Sequence, residues 1–199
     1  MQHNKKASQN RKEKIFEAAL QCFNKRGYYK ASLDEIALKG KISKGGIYYH
    51  FRSKEQLFRE LFSFRVNKYL EHIATYMQEE KDPAERIRIL ANKSGQILSE
   101  NEDFFKFCLE FLSMGVREPG IKKEMTRFYK DTLKTFSQLI DEGKSTGIFR
   151  DLDSEKVGRI IYFLFMGVFF TYFSTVIDFD LIDQETFNIN TLFKGIQNI

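Results

Sequence analysis

A chain of 199 residues, 42% hydrophobic and 30% charged, is globular in composition and long enough to bury a core as one domain or two small ones. Its two cysteines, Cys22 and Cys108, exclude a disulfide framework and suit a reducing cytoplasm. Two prolines and the lack of any alternating apolar and polar stretch argue against sheets and for an all-α fold. The formal charge of +5 is unevenly spread: residues 1–54 hold thirteen Lys and Arg against four Asp and Glu, the remainder nineteen against twenty-three, so a polyanion meets the first quarter of the chain.

Residues 1–10 are polar and basic without apolar periodicity, which predicts a disordered arm and no secretory signal. A first helix over residues 11–26 carries Ile15, Ala18, Ala19, Cys22 and Phe23 on one stripe and stops at Gly27. Ser32 with Glu35 is a capping box for a short second helix, residues 33–39, closed by Gly40. Ser43 caps a third short helix reaching Phe51, and Ser53 caps a long fourth, residues 54–80. Helices follow at 83–100, 102–114, 118–142, 154–177 and 184–197. No linker interrupts the fourth helix, so the domain boundary falls inside it, dividing a three-helix domain (11–56) from an antiparallel helical body (57–199).

A helix-turn-helix reader needs a supporting helix, a tight turn, and a second helix short enough to enter the major groove. Residues 32–51, SLDEIALKGKISKGGIYYHF, supply all three. Gly45 and Gly46 cost helix propensity at the start of the reading helix, which makes sense where DNA must approach the backbone. Lys44 can reach a base edge or a phosphate, Tyr48, Tyr49 and His50 add polar tips, and Lys54 opens the fourth helix, where free N–H groups attract an anion. For Tyr48, core packing between helices is the alternative.

This stretch resembles the TetR (tetracycline-repressor-like) family of bacterial transcriptional regulators. The matching residues are Ser32, Ile36-Ala37, Ile42-Ser43, Gly45, Tyr48, Phe51, Ser53-Lys54-Glu55 and Leu57, and the match covers residues 11–62. Two positions depart from the family pattern: Gly40 stands where Ala is usual, and Lys41 where the turn's Gly is usual. A left-handed backbone at Lys41 would cost on the order of 1 kcal/mol, unless the turn is re-set or the lysine faces phosphate. The resemblance implies DNA contacts from Ser32, Lys41, Ser43, Lys44, Gly45, Gly46, Tyr48, Tyr49, His50 and Lys54. It also implies a repressor released from a palindromic operator by a small molecule, acting in the bacterial cytoplasm and on the nucleoid when bound.

The body is dense in aromatics, which fill cores and also suit a pliable apolar pocket. A hydrophobic effector is expected against Phe104, Phe107, Cys108, Phe111, Met125, Phe128, Phe165 and Phe169, with Glu110 either solvent-facing or paired to a cationic ligand. One short helix reads few base pairs, so a two-fold homodimer is expected, with Phe163, Met166, Phe170, Phe173, Phe187, Leu192, Phe193 and Ile196 at its interface. Residues 160–177 run eighteen residues without a charge, at the lower edge for spanning a bilayer. The hydroxyls of Thr171, Ser174 and Thr175, the lack of basic flanks and the soluble helix start at Asp153 favour a helix buried in a core and a subunit interface. An enzyme is not expected: His3, His50 and His72 lie in unrelated settings, no nucleophile elbow or phosphate loop occurs, and neither metal nor cofactor is implied.

Overall fold

The computed structural model describes residues 2–198, the side chains of residues 2–7 and 99 lying outside the description. Among the described residues the chain is all-α, with no strand beyond one antiparallel bridge between Phe149 and Gln197. In order the helices are α1 (Gln2–Lys30), α2 (Leu33–Lys39), α3 (Lys44–His50), α4 (Lys54–Met77), α5 (Pro83–Glu100), α6 (Glu102–Gly115), α7 (Pro119–Ser145), α8 (Ser154–Ser174) and α9 (Leu181–Ile196). Packing groups them into two compact units. One runs to Lys68 and takes in Asp103–Glu124; the other comprises Tyr69–Glu102 and the chain from Met125 onward. The division thus falls inside α4, further along than residue 56, and most of α6 packs with the N-terminal helices.

In the first unit, Ile15, Ala18, Ala19, Cys22 and Phe23 are buried on one face of α1, as their spacing predicts. The backbone is helical from Gln2, within the stretch where the sequence predicts an arm. Gly27 kinks α1 rather than ending it: its φ of 73° is open to glycine at little cost, and the chain resumes to Lys30. Tyr28 N–H there donates to the Glu110 carboxylate, so Glu110 is an acceptor for the kink and not a free surface acid. Lys54 Nζ donates to the carbonyls of Tyr28, Tyr29 and Ala31 at 2.6, 3.1 and 2.9 Å, satisfying carbonyls that a helix end leaves open. Phe58 meets Phe23 and Phe107 edge-on at 4.9 and 4.8 Å, and Phe62 stacks on Phe111 at 3.9 Å.

The second unit is built around Phe149, whose ring lies over Gly143 so closely that no side chain could stand there. Ala84, Ile87 and Ala91 of α5, Phe136, Leu139 and Ile140 of α7, Val157 and Ile161 of α8, and Ile189, Phe193 and Ile196 of α9 complete its core. Asp82, Asp153 and Asp180 cap their helices. The Asp180 cap starts α9 at Leu181, earlier than the predicted 184, and extended Thr175 (φ −135°) ends α8 before 177. Phe193 and Ile196 are 1% and 7% exposed, so they are core residues and not the interface residues predicted, and Leu192 packs partly against the same core. One face of α8 is buried through Val157, Ile161, Val168 and Phe169, while Ile160, Phe163 and Phe170 are exposed on another. By length and apolar composition alone α8 could cross a membrane.

Candidate nucleic-acid interface

Ser32 Oγ accepts from Glu35 N at 3.1 Å and starts α2, while the Glu35 carboxylate turns to Arg26 Nε at 3.0 Å instead of closing the box. Ile36 and Ala37 face inward. Gly40 ends α2 with φ −79°, and its N–H donates to Ile36 O at 2.9 Å. Here a Cβ would lie 3.2 Å from that of Ala18. Lys41 follows with φ 52°, the positive-φ non-glycine among the described residues. The turn therefore keeps the left-handed residue that the family supplies with glycine, and the lysine bears its cost. Ile42 N–H then donates to Ala37 O at 2.9 Å, which closes the turn.

Ser43 Oγ accepts from Gly46 N at 3.1 Å and starts α3. Ile47 and Phe51 are fully buried and seat α3 on the unit. The rest of its first two turns points outward: Tyr48 is 55% exposed and Tyr49 82%, which answers the alternative of core packing for Tyr48. Nothing lies within 4 Å of where a Gly45 Cβ would be, but a Gly46 Cβ would meet Ile42 Cγ2 at 2.9 Å. Packing against Ile42 is thus a sufficient reason for Gly46, where the propensity cost suggested an approach of DNA to the protein backbone.

Lys44 Nζ lies 2.6 Å from Asp34 Oδ2 on the first turn of α2, and hydrogen bonding to that carboxylate raises its pKa. Burial, with Arg11 and Lys12 nearby, lowers the pKa of His50 and keeps its imidazole neutral at physiological pH. Lys54 stands apart. Desolvation lowers its pKa, and its ammonium is spent on three carbonyls and on the Tyr28 ring 4.5 Å away, so it is not placed as a free phosphate donor. Asp34, Arg11 and Lys12 were missed in the sequence. Asp34 reaches Lys44 across the turn, a through-space pairing for which no spacing rule exists.

The residues read as ligand-binding divide between the units. Phe104, Phe107, Cys108 and Phe111 are buried in the first, where Phe107 packs against Phe58 and Phe111 stacks on Phe62. Burial also pushes the Cys108 thiol far up, leaving it an inert packing group. In the second unit, Met125, Phe128 and Phe165 are half-buried and Phe169 is buried, and Phe165 stacks on Phe136 at 5.9 Å.

A family model described as bacterial regulatory proteins of the tetR family matches residues 15–61, and one described as the C-terminal region of YsiA-like protein matches residues 62–195. The fatty acid metabolism regulator protein of Bacillus subtilis (strain 168) is 20% identical, over 92% of this chain and 94% of its own length. The transcriptional regulator QacR of Staphylococcus aureus is 26% identical, over 76% of this chain and 80% of its own. Among solved structures, FadR from Bacillus subtilis in complex with stearoyl-CoA has a TM-score of 0.80 at 20% identity, covering 92% of this chain and 98% of that one.

Proposed function

The chain belongs to the TetR family of bacterial regulatory proteins and is a helix-turn-helix transcriptional regulator, not an enzyme; from that premise we propose that it is a cytoplasmic repressor, a homodimer on a palindromic operator that a hydrophobic small molecule releases. The observation that carries the DNA side is the outer face of α3, where Lys44, Gly45, Tyr48 and Tyr49 are exposed around the buried Ile47. Lys44 and Gly45 would lie nearest the bases, beside Gly46. Tyr48, Tyr49, His50, Lys41 and the hydroxyls of Ser32 and Ser43 would reach phosphates, which fix register without reading sequence. Lys54 leaves this set and holds the end of α1 instead.

Fragments selected from random DNA by the wild-type protein should share a palindrome. With Lys44→Ala the preference should fall. A wild-type protein that selects no common sequence would sink the reading.

For the body, the exposed Phe163, Phe170 and Phe187, with Met166 and Phe173 beside them, are the surface we assign to the homodimer. Met125, Phe128, Phe165 and Phe169 are the side chains we assign to the effector. They are apolar throughout, and Met125 is deformable, which suits a lipophile. Stearoyl-CoA and a lipophilic cation are the first probes; if neither moves DNA affinity or melting temperature, that assignment is lost.

A further inference from the structure

The contact between Lys44 and Asp34 lies on the proposed reading face and has no evident structural purpose. Both side chains are exposed, at 67% and 55%, and an exposed ion pair adds little to stability. A cation in the first turn of α3 also opposes the helix dipole. Asp34 favours the α2 dipole from the first turn, but that needs no lysine partner, and the cap bond falls to Ser32 while Glu35 holds Arg26. What the pair does create is a donor 2.6 Å from an acceptor, at the front of the helix that meets the groove.

We propose that Asp34 and Lys44 act as one unit that reads a single G·C base pair in each half-site, with Asp34 a specificity-determining residue. The inference rests on the DNA-binding face assigned above. In the major groove a G·C pair shows the guanine N7 and O6 acceptors beside the cytosine N4 donor. O6 and N4 are hydrogen-bonded to each other, so they lie about as close together as the ammonium and the carboxylate. Lys44 donates to O6 and N7 while Asp34 accepts from N4. A T·A pair in the same place offers Lys44 one acceptor, flanked by a methyl group, and a C·G pair reverses donor and acceptor. The carboxylate has a second effect, because it neutralises Lys44 and repels phosphates, which weakens binding to DNA of any other sequence. Attraction at one base pair and repulsion elsewhere both widen the specificity ratio.

The test compares wild type, Asp34→Asn, Lys44→Ala and the double variant on the operator selected by the wild-type protein and on random duplex. With Asp34→Asn, preference for one G·C pair per half-site should fall about tenfold, other positions should keep theirs, and random duplex should bind more tightly. The two substitutions should be non-additive on the operator. An unchanged selected sequence with Asp34→Asn, or additive effects on the operator, would overturn the proposal. Should Asp34→Asn fail to fold, Asp34→Glu keeps the charge and shifts the oxygens; it should blur the same base position without tightening random binding, and an unaltered selected sequence with it overturns the proposal equally. If the wild-type chain selects no sequence, the DNA-binding face itself is wrong; if it does and Asp34 is silent, this inference alone is.

Discussion

A Cβ on Gly46 would sit 2.9 Å from Ile42 Cγ2, whereas one on Gly45 would meet nothing within 4 Å. The sequence puts the two glycines side by side and suggests one cause for both, yet the neighbour that matters is a branched side chain on the previous turn with little freedom to move. Alanine should therefore act differently at the two positions. Gly46→Ala gains about 1 kcal/mol of helix propensity but overpacks Ile42, at a cost of about 1–3 kcal/mol, so its urea midpoint should fall. Gly45→Ala should be as stable as wild type or up to about 1 kcal/mol better, and should bind DNA more weakly because a methyl group blocks the approach. Wild-type DNA affinity with Gly45→Ala would show that nothing comes close to that backbone. Lys41 is the opposite case, since its departure from the family pattern made a left-handed residue one of the readings, and φ is 52°.

Helix starts were the most legible elements, because a cap is a local device: Ser43, Ser53 and Asp153 do what their spacing says, and Ser32 makes its half of the predicted box. Helix crossings were not legible, and α5 against α9 shows why. Gly95 lets the two helices close in, a Cβ there lying 3.0 Å from Ile182 Cγ1 and 3.1 Å from Glu185 Oε2. Glu185 stands at the spacing of the buried Leu181, Ile189 and Phe193, but its charge argues for solvent. It is nonetheless 3% exposed, Oε2 has no hydrogen-bond partner, and burial pushes its pKa up to about 8. The native state thus keeps Glu185 protonated up to about pH 8, while the unfolded chain ionises it near 4.5. Stability from this group is whole below pH 4.5 and drains as pH rises toward 8. Glu185→Gln cannot ionise, so urea unfolding should show it close to wild type at pH 4.5 and more stable by at least about 1 kcal/mol at pH 8. A difference that stays constant across that range would mean the carboxyl ionises normally in the fold.

At the scale of the molecule, the charge division and the DNA-binding motif were readable from the chain, and the family comparison agrees with the motif. The roles of the aromatic residues were not, since a phenylalanine in a core, a pocket or an interface has the same helical spacing. Only burial separates Phe163 and Phe170, at 58% and 59% exposed, from Phe193, at 1%. That separation makes the homodimer testable. Glutamate at both Phe163 and Phe170 replaces exposed side chains, so the fold should change by no more than about 0.5 kcal/mol per site, while two buried carboxylates facing their copies should prevent association. Sedimentation should then find a monomer. On the palindrome proposed above each protomer takes one half-site, so linking two half-sites multiplies affinity by roughly 10²–10⁴, and the monomer should lose that factor on the operator. Phe193→Ala should behave otherwise, losing about 3–5 kcal/mol of stability from a core cavity. A Phe163/Phe170 double variant that sediments as a dimer with wild-type operator affinity would move the interface away from this face of α8.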